Sequence, residues 1–182
     1  MDDGNDQEKA PPTVLFSPLG SPRQGVILRV AWEGDRPQLT EFVCCDGSKG
    51  WELEVQEWIQ TEAWDWFEAG VDDPRLLLFI DEFTNELAAV AAHEQGLNEH
   101  LRFVNAIAVQ SDSQGSGLGL QVMVSVLADA ASRCPDGGAY WSVHPENHRS
   151  CRLSDRIEAD CTSPPDDAPY LRYAITLAHT WG

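Results

Sequence analysis

The chain has 182 residues, 42% of them hydrophobic, a length and composition that suit one globular domain with a sizeable core. With 30 acidic against 12 basic residues the formal charge is −18; binding a phosphate backbone needs the opposite sign, so nucleic acid is excluded as the main partner. No apolar run approaches a membrane span, the N-terminus lacks the basic and apolar regions of a signal peptide, and five cysteines without metal-type spacing, among them the adjacent Cys44 and Cys45, predict a reduced cytoplasmic setting, no membrane and no metal.

Residues 1–12 are acidic, end in proline and are poor in apolar side chains, so they read as a disordered tail ahead of a single domain spanning 13–182. Residues 14–16 would add a short strand. Residues 25–32 read as the first full strand, closed by the turn residues Glu33, Gly34 and Asp35, and 42–45 as a further short one before a loop over 46–50. In 51–69, Trp51, Val55, Trp58, Ile59, Trp66 and Phe67 fall on or near one stripe, which predicts an amphipathic helix stopped by Gly70. The stripe reads as ordinary core, and Trp64, off it, is the better candidate for a pocket wall.

Residues 76–80 and 87–92 predict two strands around the turn-like 81–85, and 101–109 returns as the next strand. Residues 118–131 lack Pro and repeat apolar residues three and four apart (Leu120, Val124, Leu127, Ala131), the period of a helix. A sharp turn at 135–138, a strand at 139–143, a short helix at 146–156, a proline-rich loop at 163–169 and a last strand at 170–177 complete the chain. This order predicts an α/β mixed sheet with helices on both faces.

The stretch Val109-Gln110-Ser111-Asp112-Ser113-Gln114-Gly115-Ser116-Gly117-Leu118-Gly119 stands between a strand and a helix start. Its alternating glycines allow close backbone approach, and free N–H groups at a helix N-terminus make an anion site. It has no Gly-Lys-Ser/Thr ending, and the dinucleotide glycine spacing is absent. The stretch resembles the acyl-CoA loop of the Gcn5-related N-acetyltransferase superfamily, Arg/Gln-x-x-Gly-x-Gly/Ala placed five residues after a strand-end Val: Gln114, Gly117 and Gly119 fill the pattern behind Val109. A second stretch matches in register, a strand ending in Val143 followed by Asn147 at the opening of a helix.

The resemblance implies an α/β (α+β) fold whose central mixed, mostly antiparallel sheet is splayed between its fourth and fifth strands. It implies acetyl-CoA, or another short-chain acyl-CoA, as co-substrate and a primary amine as acceptor, and a homodimer is compatible with it. The amides of Gly115, Ser116, Gly117, Leu118 and Gly119 would hold the pyrophosphate. The backbone of Ile107, Ala108 and Val109 would pair with the pantetheine arm, and Asn147 and Ser150 would flank it. A non-catalytic acyl-CoA-binding or regulatory module of the same fold is the alternative.

The sequence departs from the family where the chemistry lies. Seven residues beyond Asn147 the family often has a tyrosine that protonates the leaving thiolate; this chain has Ser154. Glu158-Ala159 replaces a Gly-aromatic pair, and Asn105 and Phe103 stand where relatives keep a glutamate base. Candidate acids are therefore Ser154, Tyr140 and His144. Between Arg102 and Arg133 there is no Lys or Arg, so charge for the cofactor phosphates must come from His148, Arg149, Arg152 or Arg133. The acceptor side of the family lies along the first helix, here bearing Glu52, Glu54, Glu57, Glu62, Asp65, Glu68, Asp72 and Asp73 against Lys49; a cationic small molecule or basic peptide end suits that field, and so does plain solubility. Glu82, Glu86 and His93 read as solvated turn or strand residues, Cys151 as a small helix residue, and Asp160 and Cys161 carry no legible role.

Overall fold

A computed structural model describes residues 25–162 and 169–177; the expected acidic tail, the short strand at 14–16 and most of the proline-rich loop lie outside them. Along the chain run β1 (Val26–Val30), α1 (Arg36–Thr40), α2 (Gly50–Thr61), α3 (Ala63–Ala69), β2 (Arg75–Asp81), β3 (Leu87–Gln95), β4 (Leu101–Val109), α4 (Leu118–Arg133), β5 (Gly138–Val143), α5 (His148–Arg156), β6 (Asp160–Cys161) and β7 (Leu171–Thr176). Among the described residues the seven strands form one open sheet, β1-β2-β3-β4-β5-β7-β6.

Every neighbouring pair is antiparallel except β4 and β5. These two run parallel and pair only through Leu101↔Gly138, Arg102↔Ala139 and Phe103↔Tyr140. Beyond Phe103 they part, and the second half of β4 keeps its β5-facing edge open among the described residues. This is the expected splay. An open edge presents backbone N–H and C=O groups that an extended, amide-bearing ligand can pair with.

The core lies on both faces of the sheet. Leu118, Val122, Val126 and Leu127 of α4 pack on one face with Phe79, Ala91 and Trp141; Leu39, Ile59 and Ala63 from α1, α2 and α3 pack on the other with Leu76, Leu78 and Val90. A bulge in β4 crosses the two. The register runs Ala92↔Ala106 and then His93↔Val104, so Asn105 has no residue opposite it. Val104 accordingly packs toward α4, while Ala106 and Ala108 pack toward α2 and α3. An extra residue in one strand bends it and re-aims its side chains.

A buried charge network holds α4 against the sheet. Asp129 of α4 accepts two hydrogen bonds from Arg75 of β2, both 2.9 Å, and lies 2.9 Å from Nε2 of His93 on β3. The Nε of Arg102 on β4 donates to His93 Nδ1 at 3.1 Å. Arginine can only donate, so neutral His93 carries its proton on Nε2 and donates to Asp129. His93 is thus fully buried and paired, not a solvated strand residue. Burial pushes its pKa down, outweighing Asp129, and the charges of Arg102 and Arg75 push the same way. Burial pushes the Asp129 carboxyl up, but hydrogen bonds from His93 and Arg75 win and hold it far below the usual range.

Two local expectations are corrected, and one helix comes from a stretch with no assignment. Residues 42–45 form no strand, because their backbone groups bond to α2 side chains instead: Gln56 Oε1 accepts from the amides of Cys44 and Cys45, and Gln60 donates to the Phe42 carbonyl. The stripe in 51–69 belongs to two helices divided at Glu62, whose φ is −121°; Ile59, Ala63, Trp66 and Phe67 stay three or four apart across the break, so periodicity is blind to it. Just after β1, α1 carries Pro37 in its first turn, a compatible position for proline.

Candidate active site

β4 delivers the chain to the glycine loop and α4 carries it away. After Val109 a single 3-10 turn, Ser111–Ser113, leads to Gln114. Gly115 and Gly117 then take φ of +76° and +88°, conformations that side chains disfavour. Gly117 is the N-cap of α4. Leu118 N–H donates to Ser116 Oγ and Leu120 N–H to the Gly117 carbonyl. Among the described residues the amides of Gly115 and Gly117 have no acceptor in the chain. Free amides and the positive end of a 16-residue helix meet at one spot. Gly119 has ordinary helical geometry, and a Cβ there would touch Val109 Cγ2 at 3.9 Å, a normal contact. Nothing in the chain itself requires glycine at that position. Leu118 is buried in the core, and the Ser116 hydroxyl donates to the Ser113 carbonyl.

Beside this loop lies a groove of about 560 Å³, walled by the segment before α2, by Gln114 and by the start of α5. Gln114 spans it: its amide donates to the carbonyls of Cys44 (2.7 Å) and Val109 (3.2 Å), and its Oε1 accepts from Arg149. Lys49, His148, Arg149 and Arg152 line the groove with Asp46, Glu52 and Glu146. Arg29, Arg36, Arg75, Arg102 and Arg133 are all paired with carboxylates, whereas Lys49, Arg149 and Arg152 form no ion pair among the described residues. Arg133, expected as a phosphate partner, instead pairs with Asp73 at the far end of α4. Cys44 also lines the groove; burial, with Cys45 and Glu52 nearby, pushes its thiol up to about 12, which leaves it inert.

A second cavity of about 130 Å³ adjoins the groove in the split between β4 and β5. Trp51 and Asn147 line both. Asn105 and Ile107 of β4, Trp141 and Val143 of β5 and His144 contribute to its wall, with Tyr170 ahead of β7. Asn147 caps α5, its Oδ1 accepting from the Ser150 amide at 3.1 Å, and Ser150 faces the same cavity. Residues 39–157 match the acetyltransferase (GNAT) family, more than half of the chain.

The chain belongs to the GNAT acetyltransferase family. No curated protein sequence matches it significantly. Its fold is similar to that of a GNAT-family acetyltransferase from Desulfovibrio desulfuricans, at 18% identity and TM-score 0.64, covering 84% of this chain and 99% of the other. RimL, a ribosomal alpha-N-protein acetyltransferase solved with coenzyme A, gives 18% identity, TM-score 0.63 and coverage of 84% and 94%. The spermidine/spermine N-acetyltransferase SpeG of Vibrio cholerae gives 15%, 0.59, 84% and 93%. At these identities the likeness is one of fold.

Within this GNAT fold the three candidate acids occupy different surroundings. Ser154 is fully buried; its Oγ accepts from Trp141 Nε1 and donates to the Ser150 carbonyl, each at 3.0 Å. Tyr140 sits at the paired end of β4 and β5, its ring 5.0 Å from that of Phe103 and pressed against Gly96. His144 stands at the open end and lines the cavity, stacked on Trp51 at 5.6 Å and edge-on to Tyr170 at 5.8 Å. Its Nδ1 accepts from the Glu146 amide at 3.2 Å, so the neutral ring carries its proton on Nε2.

Of the residues expected to meet pantetheine, Ile107 lines the cavity while the Ala108 side chain is buried on the opposite face. Glu82 and Glu86 are exposed on their turn. Glu158, where the family has glycine, takes φ of +59°, a backbone that glycine adopts freely. Asp160 and Cys161 form a short edge strand on β7. Trp64 packs on Phe67 and lines neither cavity. Sequence reasoning missed Trp51 and Tyr170 as cavity residues, and placed Asn105 only by the family's base position. Trp51 had a signal, its place at the first turn of a helix facing the second motif; Tyr170 had none.

Proposed function

We propose that the chain is an acyl-CoA-dependent N-acetyltransferase that moves an acetyl or other short acyl group to a primary amine. The observation that carries this reading is that the two cavities adjoin, sharing Trp51 and Asn147 in their walls. A groove lined by Lys49, Arg149 and Arg152, none of them in an ion pair among the described residues, lies beside free glycine-loop amides and adjoins the split where β4 leaves its edge open. That sequence of environments fits a ligand that is polyanionic at one end and an amide-bearing chain toward the other. The residues present fit coenzyme A: Gly115 and Gly117 amides for the pyrophosphate, Lys49, Arg149 and Arg152 for the phosphates, and the β4 edge at residues 107–109 for the arm.

The chemistry is attack by a neutral amine nitrogen on the thioester carbonyl carbon, with cleavage of the carbon–sulfur bond and protonation of the thiolate. The amine proton passes to solvent. A backbone N–H of the open β4 edge polarises the carbonyl. In this reading His144 Nε2–H donates a hydrogen bond to the departing thiolate, since it alone among the three candidates lines the cavity with a donor not used among the described residues, and the sulfur takes its proton from solvent. Folds similar to SpeG and RimL support an amine acceptor, and the acidic run along α2 and α3 supports a cationic one.

The engaged hydroxyl of Ser154 also favours a second reading, an acyl-CoA-binding module without turnover. Titration calorimetry with coenzyme A and acetyl-CoA, followed by turnover against an amine panel, separates the two. Failure to bind either coenzyme A or acetyl-CoA overturns both readings; binding without turnover leaves the module.

A further inference from the structure

The bulge in β4 brings two groups together that neither motif includes. Asn105, the unopposed residue of the bulge, donates through Nδ2 to Glu94 Oε1 on β3 at 2.8 Å. Glu94 Oε2 accepts from the Trp66 indole of α3 at 2.9 Å. An ionised carboxylate can only accept, so the carboxamide must turn its nitrogen to Glu94 and its oxygen away, which fixes the orientation of Asn105. That oxygen, Oδ1, is buried and accepts no hydrogen bond among the described residues, in a residue that lines the cavity between β4 and β5.

The charge balance around it is one-sided. Glu94 is half-buried, and among the described residues its partners are two neutral donors and no cation. A carboxylate bonded to one end of a carboxamide polarises it and raises the acceptor strength of the other end. The site therefore combines an orphaned acceptor at a cavity wall with an uncompensated negative charge one residue behind it. A neutral N–H would satisfy the first feature; only a cationic donor satisfies both. Trp51 Nε1, the other orphaned polar atom of this cavity, is a donor and has the wrong sense for a cation.

We propose that the Asn105–Glu94 pair is the specificity element for the acceptor, with Asn105 Oδ1 accepting from the ammonium of a cationic amine and Glu94 acting behind it as a positioning residue. The inference rests on the N-acetyltransferase reading and names its acceptor class, amines that arrive charged. The pair selects and orients the amine; it removes no proton, because a carboxamide oxygen is not basic enough to hold one, and the bound ammonium releases its proton to solvent before the neutral nitrogen attacks.

The test compares wild type, Asn105→Ala, Asn105→Asp and Glu94→Gln, each checked by circular dichroism. Three acceptors are used with acetyl-CoA: spermidine, a short peptide with a free alanine N-terminus, and methoxyamine, which is uncharged at pH 7. Asn105→Ala should lower kcat/KM about 10- to 100-fold for the charged acceptors, chiefly through KM, with the dissociation constant of coenzyme A unchanged. Glu94→Gln should lower it about tenfold for the charged acceptors and leave methoxyamine unaffected. Asn105→Asp keeps an oxygen but loses the N–H that binds Glu94 and faces it with a like charge, so it should not recover the loss.

Equal losses for methoxyamine and spermidine would overturn the proposal, as would coenzyme A binding that weakens in parallel, which would assign Oδ1 to the pantetheine arm. Should Asn105→Ala not fold, the charged-to-neutral ratio in Glu94→Gln decides. Wild-type protein that binds coenzyme A yet acetylates none of the three amines removes the transfer reading and this inference together, a result distinct from turnover that the substitutions leave unchanged.

Discussion

The indole N–H of Trp141 donates to the hydroxyl of Ser154 at 3.0 Å, and that hydroxyl passes its own proton to the Ser150 carbonyl. The residue at the place of the family's usual acid is thereby a buried strut between β5 and α5. Ser154→Ala should lower stability by about 1–3 kcal/mol, because it leaves a buried indole donor unsatisfied, while kcat for acetyl transfer stays at the wild-type value. Urea denaturation and steady-state turnover check both halves; a large fall in kcat in a fully folded variant would return Ser154 to the list of acids.

His144 should behave oppositely. His144→Phe keeps a ring to stack on Trp51 and removes the Nε2–H, so coenzyme A affinity should hold while kcat falls by about 10- to 100-fold, the worth of a hydrogen bond to a charged sulfur. Single-turnover measurements with acetyl-CoA isolate the chemical step, and an unchanged rate there would mean that no hydrogen bond from His144 stabilises the departing sulfur.

The glycines of the loop separate backbone strain from ligand contact. At φ of +88°, Gly117→Val forces a side chain into a disfavoured conformation at a cost of about 1–3 kcal/mol, and coenzyme A binding should be abolished in a protein that still folds. Gly119→Ala meets only an ordinary contact with Val109 and should leave the free protein as stable as wild type. Any loss of coenzyme A affinity in Gly119→Ala then reports the ligand alone. Normal binding by folded Gly117→Val would refute the loop assignment.

Lys49, Arg149 and Arg152 gather in the groove of a chain whose charge is −18. Neutralising Arg149 and Arg152 together should raise the dissociation constant of coenzyme A and flatten its dependence on salt, since screened charge attraction is what salt removes. Calorimetric titrations at low and high ionic strength give the slope directly; parallel slopes in variant and wild type would rule out these arginines as phosphate partners.

The His93 network predicts acid sensitivity. The unfolded chain takes up a proton on this histidine near pH 6.5, while the buried, neutral ring resists it. Below about pH 6.5 the unfolded state therefore binds more protons, and stability falls as pH falls. Asp129 acts in the same direction nearer pH 4, where the unfolded carboxyl protonates before the folded one does. Thermal midpoints measured from pH 8 to pH 5 should decline in wild type and flatten in His93→Gln; parallel curves would exclude His93 as the source.

The sequence by itself determined the elements that repeat regularly and the turns that need glycine. β4 lies at 101–109 as its apolar run predicts, and α4 begins at Leu118 directly after the glycine loop. Gly70 ends α3 in the left-handed conformation expected of it, and Asn147 caps α5. These are local features: the hydrogen bond or φ angle that each residue favours is decided within a few positions of chain. The splay of the sheet was legible only through the family resemblance, since nothing local to 101–109 or 139–143 says where two strands part.

Tertiary structure decided which side chains share the cavity. The bulge at Asn105 depends on the register between β3 and β4, and one extra residue there sends Val104 and Ala106 to opposite faces. The pairing of Asn105 with Glu94, 11 residues earlier, and of Tyr170 with His144 follows from strand order. The same holds for Ser154, which reads as an open hydroxyl until Trp141 is seen bonded to it. A side chain's chemistry is written in its residue type, but its availability depends on partners that only folding brings within hydrogen-bond reach.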